Sequence, residues 1–132
     1  MDKKIFKSQC LLVDFNSTNR FTVKCLLEKY GFIVNEAVDG KELIKKINNK
    51  YDIVILELDL PKIDGIFCCE ILKNYLNYQG IIIGLTSFID SISLDKCAKV
   101  KMDKVFAKPI DETCILKIIE DYFNKNNKST IN

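Results

Sequence analysis

Five short apolar runs alternate along the chain with segments whose apolar residues recur at helical spacing. The runs are residues 10–14, 32–36, 52–58, 80–85 and 104–107. Strands that are apolar on both faces and alternate with helices are typical of a parallel sheet covered on both sides. The sequence therefore predicts an α/β, doubly wound fold made of five βα units.

Capping residues mark where the predicted helices begin and end. Ser17 or Thr18 is predicted to cap the first helix and Gly31 to end it. Asp39 and Asp111 are predicted to cap the second and the last helix. The residues expected on the core faces are Val23, Leu26, Leu27 and Tyr30 in the first helix, Leu43, Ile44 and Ile47 in the second, Cys68, Ile71, Leu72 and Tyr75 in the third, Leu94, Cys97 and Ala98 in the fourth, and Ile115, Ile118, Ile119 and Tyr122 in the fifth.

The length of 132 residues suits one domain. We place that domain at residues 8–124 and expect a flexible C-terminal tail over residues 125–132, because this stretch is polar and rich in asparagine and lysine.

Composition argues against several classes of protein. A net charge of +2, scattered lysines and a single arginine, Arg20, do not indicate nucleic-acid binding. The absence of histidine removes histidine-based acid–base catalysis and metal ligation. The six cysteines lack a CxxC pair, so reduced thiols are expected and a zinc cluster is not. With no signal peptide and no run long enough to span a membrane, we expect a cytoplasmic protein that does not bind membranes.

Four of the predicted strands end in residues with polar chemistry. The first ends in Asp14, the third in Glu57, the fourth in Thr86 and the fifth is followed by Lys108. The carboxyl ends of parallel strands meet at one edge of the sheet, so these side chains should converge on one crevice. Lysine and threonine suit a phosphoryl group, and carboxylates suit the hard cation Mg²⁺ that would neutralise it.

Four motifs at these strand ends resemble those of response regulator receiver domains, the family that includes chemotaxis regulators and the receivers of hybrid histidine kinases. The motifs are LLVDFNSTNR, YDIVILELDLPKIDG, GLTS and FAKPI, and the resemblance covers residues 9–123. It implies a flavodoxin-like sheet of strand order 2-1-3-4-5 and a cis bond between Lys108 and Pro109. It also implies a role in two-component or phosphorelay signalling, with a histidine kinase or phosphorelay component as partner on the face formed by the fourth helix, fifth strand and fifth helix.

The sequence departs from the family's pattern at three places. Phe15 replaces an acidic residue that binds Mg²⁺, Glu57 replaces the phospho-accepting aspartate, and Val105 replaces a switch aromatic. A phenyl ring offers Mg²⁺ no oxygen. The extra methylene of Glu57 moves its carboxylate by about an ångström, a misplacement that can lower a rate ~100-fold. The resemblance thus implies a degenerate receiver, or pseudo-receiver. It retains Asp14, Thr86 and Lys108, has no catalytic residue and no resident metal, and binds Mg²⁺ weakly or not at all.

Several interpretations of these residues remain open from sequence alone. Glu57 is a structural partner of Lys108, an imitation of the phosphorylated state, or, with Asp59, a phospho-acceptor in a working response regulator. Phe15 either fills the vacated metal pocket, the interpretation we favour, or is exposed for a partner. Asp14 is a partner of Lys108, a solvated loop acid or a residue with a metal role, and Thr86 either caps the next loop or serves the site. Cys68 and Cys69 are expected to divide between the core and the flank of their helix.

Overall fold

In the computed structural model, residues 7–131 are described, with side chains for residues 7–125. The elements in chain order are β1 (Ser8–Val13), α1 (Ser17–Lys29), β2 (Phe32–Ala37), α2 (Gly40–Lys46), β3 (Ile53–Glu57), α3 (Gly65–Asn74), β4 (Ile81–Thr86), α4 (Ser91–Lys99), β5 (Lys104–Ala107) and α5 (Glu112–Ile131). The strands form one parallel sheet of order β2-β1-β3-β4-β5, which confirms the predicted flavodoxin-like fold.

The sheet is buried on both faces because successive strand residues point to opposite sides. Leu11 and Val13 of β1 face one apolar cluster, which includes Leu43 of α2, Cys68 of α3 and Cys97 of α4. The other face packs against α1 and α5: Cys10 and Leu12 join Leu27, Ile115 and Ile118 there. This two-sided burial explains why the strands are apolar throughout.

The N-cap of the first helix lies before both predicted caps, and the helix begins at Ser17. Asn16, not Ser17 or Thr18, is the N-cap: its side-chain oxygen accepts a hydrogen bond from the amide of Asn19 at 2.9 Å. The Asn16 amide in turn donates to Asp14 Oδ1 at 2.9 Å, which fixes the turn after β1 and so decides where α1 begins.

The other predicted helix boundaries are confirmed. Gly31 follows the C-cap of α1 with a positive φ of 97°. Asp39 Oδ1 accepts from the amide of Glu42, and Asp111 Oδ1 from that of Cys114. The Lys108–Pro109 peptide bond is cis, as the resemblance implies.

Parts of the predicted core faces are wrong. Tyr75 lies beyond the last residue of α3 and is 78% exposed, and Tyr78 is buried instead, donating from its hydroxyl to the carbonyl of Tyr51 at 2.8 Å. In α4 only Cys97 is buried, and Leu94 and Ala98 are exposed. Cys69 does not lie on the helix flank; it is as fully buried as Cys68, and its thiol lies 3.6 Å from the carbonyl oxygen of Val100, where the chain leaves α4.

Helix α5 continues to Ile131, so it overlaps the stretch expected to be a flexible tail. Residue 132 lies outside the described residues, and the domain limits remain a prediction. None of the described helices combines the length and apolar composition needed to cross a membrane.

Candidate functional site

Three of the predicted site residues meet at the carboxyl edge of the sheet. The Lys108 Nζ atom lies 2.6 Å from Glu57 Oε1 and 3.2 Å from Asp14 Oδ2. Asp14 follows the last residue of β1, Glu57 is the last residue of β3, and the amide of Lys108 donates to the carbonyl of Thr86 at 2.8 Å. The parallel sheet therefore brings together charges that are far apart in the sequence.

This charge network is largely removed from solvent. The Asp14 side chain is 1% exposed, and those of Glu57 and Lys108 are each 14% exposed. Burial raises the pKa of Glu57, and the neighbouring Asp14 adds to the increase against the opposing effect of Lys108. Burial lowers the pKa of Lys108, but its contacts with Glu57 and Asp14 together outweigh that effect and raise it. Lys108 is therefore charged, and two carboxylates share one ammonium group.

The oxygens of the network fit Mg²⁺ poorly. Both oxygens of Asp14 are engaged, Oδ1 by the amide of Asn16 and Oδ2 by Lys108, and Lys108 also holds Glu57 Oε1. Phe15 has no side-chain oxygen to add to the near-octahedral set that Mg²⁺ prefers. Among the described residues, no group of three or more acidic, cysteine or histidine side chains could hold a metal ion.

Phe15 does not fill the pocket, contrary to our expectation. Its side chain is 61% exposed, whereas that of the preceding Asp14 is buried. The carboxylate of Asp14 is directed inward, to Lys108 and the amide of Asn16, whereas most of the Phe15 ring is in solvent. The ring is therefore available at the surface.

Thr86 is buried, but its hydroxyl is bonded to the next loop. Its Oγ1 atom donates to the carbonyl of Phe88 at 3.1 Å and accepts from the amide of Phe88 at 3.2 Å. This geometry matches the loop-capping interpretation of Thr86. The loop that it holds carries Phe88, which is 73% exposed.

The two remaining positions singled out from the sequence lie outside the charge network. Val105 is half-buried and packs against the apolar cluster on the α2–α4 side of the sheet. Asp59 is exposed in the loop after β3. The structure describes where these side chains lie, and their functional roles stay predictions.

Sequence reasoning missed the residues that support Asp14. The guanidinium of Arg20 donates to the carbonyl of Asp14 at 2.7 Å and to the carboxylate of Glu36 at 2.8 Å. Asn16 holds the Asp14 side chain, as described above. The single arginine was a visible signal, but its partners are set by the path of the loop after β1, which no local pattern reveals.

A comparison with known families matches the model of the response regulator receiver domain to residues 10–120. The chain belongs to this family. It is 26% identical to the osmosensing histidine protein kinase SLN1 of Saccharomyces cerevisiae, a match that covers 96% of this chain and 11% of that protein. It is 29% identical to hybrid signal transduction histidine kinase F of Dictyostelium discoideum, over 92% of this chain and 12% of that protein. The chain thus spans about a tenth of the length of these relatives.

Solved structures show the same fold. A two-component response regulator from Clostridium difficile superposes with a TM-score of 0.82 at 25% identity, covering 91% of this chain and 98% of that one. The chemotaxis protein CheY4 of Vibrio cholerae gives a TM-score of 0.79 at 23% identity, covering 89% and 99% of the two chains. The chain is therefore a receiver domain of two-component signalling.

Proposed function

We propose that this receiver domain acts by protein–protein contact and does not use Mg²⁺-dependent phosphorylation of an aspartate. The observation that carries the proposal is the 2.6 Å contact between Glu57 and Lys108 at the phospho-acceptor position. A glutamate holds the lysine there, and the neighbouring carboxylate, Asp14, is bonded to that lysine and to a backbone amide. A pseudo-receiver of this kind has no catalytic residue and needs no metal.

The hydrogen bonds of the crevice favour one role for Glu57. An imitation of the phosphorylated state would engage both Thr86 and Lys108. Glu57 contacts Lys108, whereas the Thr86 hydroxyl is bonded to the backbone of Phe88. We therefore infer that Glu57 is chiefly an internal counter-charge, because Lys108 would otherwise meet Asp14 alone in a largely buried setting.

The partners that we propose are protein components of a phosphorelay, such as a histidine kinase. Two of the relatives above are named as histidine kinases, and the chain corresponds to a short part of each. The face formed by α4, β5 and α5 is the surface we propose for that contact, in a cytoplasmic setting. If the charge of Glu57 sets the conformation that partners read, Glu57→Gln will change their affinity; unchanged affinity will support the inert counter-charge.

Intact-mass spectrometry tests the central claim. The protein is incubated with Mg²⁺ and acetyl phosphate, a small phosphodonor, and weighed at intervals. We expect no added phosphoryl group, because no aspartate occupies the acceptor position. A gain of one phosphoryl group would overturn the proposal. If Glu57→Gln or Asp59→Asn abolishes that gain, the rival function is established: a response regulator that accepts a phosphoryl group on the substituted residue.

A further inference from the structure

A second exposed surface lies beside the crevice, between the start of α3 and the start of α4. Phe88, Ile89 and Ile92 are 73%, 41% and 68% exposed in one short stretch of chain. Phe88 also lines a groove of about 280 Å³, and Leu58 and Ile66 form part of the same lining. We call this surface, with its groove, the α3–α4 patch.

The groove is acidic. Asp59, Asp64 and Asp90 line it together with a single lysine, Lys96. Asp64 caps its helix with one oxygen, which accepts from the amide of Phe67, whereas Asp90 accepts from the amide of Ser93 with Oδ1 and from its hydroxyl with Oδ2. Within the part of the chain whose side chains are described, none of the three carboxylates forms an ion pair. The patch therefore combines exposed apolar area with a net negative charge.

We propose that the α3–α4 patch docks a protein segment that carries an arginine between apolar residues. The proposal rests on the proposed function and names the chemistry of a partner for it. The groove, of about 280 Å³, is at the lower end of the roughly 300–1,000 Å³ of ligand pockets, a size that one long side chain can fill. The planar guanidinium pairs with carboxylates in a fixed geometry and stacks on aromatic rings, here that of Phe88.

A second copy of this chain is a poorer occupant. Its single arginine, Arg20, is held by the carbonyl of Asp14 and the carboxylate of Glu36. Another copy would have to bring a lysine, whose ammonium lacks the planar fork. Charge complementarity therefore points to a different protein.

The patch is joined to the crevice through Thr86. The buried Thr86 hydroxyl bonds both the amide and the carbonyl of Phe88. A partner that covers Phe88 thus rests on a loop anchored at the end of β4, beside the strand that ends in Glu57. The carbonyl of Thr86 also accepts from the backbone amide of Lys108, so the loop of the patch and the lysine of the network share one backbone anchor.

Amide-resolved NMR titration with a synthetic peptide tests the proposal. The probe carries one arginine flanked by leucines, and the comparison peptide replaces that arginine with citrulline, which has the same shape without the charge. We expect saturable shifts confined to residues 58–67 and 86–96 with the arginine peptide, and binding weaker by about tenfold with citrulline.

Variants locate the contact on the protein. Phe88→Ala, and Asp59→Asn combined with Asp64→Asn, should each weaken binding of the arginine peptide by about tenfold. Asparagine also caps helices, so α3 is retained. The matched control is the double variant Phe21→Ala with Glu28→Gln on α1, where both side chains are exposed, Phe21 at 67%. The affinity of this variant for the arginine peptide should stay within about twofold of that of the original protein.

Three results would overturn the proposal. The first is a set of amide shifts centred on another face, and the second is equal affinity for the arginine and citrulline peptides. The third is a concentration-dependent dimer in sedimentation that Phe88→Ala abolishes, which would make a second copy the occupant. Failure here leaves the mass-spectrometric result unchanged, so it is distinguishable from failure of the proposed function.

Discussion

At the scale of single residues, Glu57 is held by two opposing effects. Its contact with Lys108 favours the charged carboxylate, whereas burial and the nearby Asp14 disfavour it, and the net result is a raised pKa. Glu36 shows the reverse balance on the other side of β1: hydrogen bonds from Lys24 and Arg20 lower its pKa against a smaller effect of burial. The two glutamates therefore respond to pH in opposite ways.

The first prediction concerns the pH dependence of Glu57→Gln. The usual pKa of Glu57 is 4.5, and its pKa in the folded protein is higher. At pH values between the two, the folded protein holds a larger fraction of a proton on Glu57 than the unfolded chain does. Stability contributed by this group therefore falls as the pH rises through that window. Relative to the original protein, Glu57→Gln should gain free energy of unfolding as the pH rises above 4.5, measured by urea unfolding.

Glu36→Gln is the matched control. The stabilisation from Glu36 is present above pH 4.5 and is lost as the pH falls through its lowered pKa, so this variant should lose stability relative to the original protein as the pH rises from acid. If Glu57→Gln follows the same trend as Glu36→Gln, Lys108 stabilises the charged form of Glu57 more than burial opposes it.

The second prediction concerns Mg²⁺. Phe15→Asp combined with Glu57→Asp restores both acidic positions of the family's pattern, and Asp14, Thr86 and Lys108 are in place. We expect this double variant to gain Mg²⁺ binding in calorimetric titration, because aspartate at position 15 supplies the carboxylate oxygens that the Phe15 ring lacks. Glu57→Asp alone is the control and should bind more weakly. A double variant without measurable affinity would show that the loop after β1 blocks the metal position even when its ligands return.

At the scale of elements, periodicity predicted the five strands, and β5 coincides with its predicted run. Helix ends were harder to predict. Asn16, Ser17 and Thr18 are all good caps, and the choice depended on the bond from the Asn16 amide to Asp14. The predicted convergence of Asp14, Glu57 and Lys108 follows from parallel topology, whereas the outward turn of Phe15 depends on the path of one loop.

The third prediction concerns the junction of α3 with β3. A Cβ atom at Gly65 would lie 2.5 Å from the carbonyl oxygen of Glu57 and 2.8 Å from the Cα atom of Leu58. Because these neighbours are backbone, Gly65→Ala should lower the free energy of unfolding by about 1–3 kcal/mol. Urea unfolding measures this loss, and Lys41→Ala, at an exposed position in α2, is the control. A neutral Gly65→Ala would mean that α3 can shift away from the sheet.

At the scale of the whole molecule, the charge network ties together three strand ends that are distant in sequence. Lys108 is 94 residues from Asp14 and 51 residues from Glu57, and it joins the end of β5 to those of β1 and β3. The strand between β3 and β5 is β4, whose Thr86 holds the loop of the α3–α4 patch. The crevice is thus the place where the ends of four strands, the charge network and the anchor of an exposed loop lie side by side.

The last prediction concerns how far the stability of the fold depends on the paired charges of this network. Lys108→Met leaves two buried carboxylates without their cation, so it should lower the free energy of unfolding by about 3–5 kcal/mol at neutral pH. The same substitution in a Glu57→Gln background should be less damaging, because one of the two charges is gone; the difference is the coupling free energy from a double-mutant cycle.

Lys104→Met, at the start of the strand that Lys108 follows, is the matched control. Lys104 lies 3.6 Å from Asp121, and its side chain is 38% exposed, so its loss should lower stability by less than about 1 kcal/mol. Equal losses for Lys108→Met and Lys104→Met would contradict a structural role for the network. A large loss that Glu57→Gln does not relieve would place the dependence on Asp14 alone, and Glu57 would then be free to serve the partner contact that we propose.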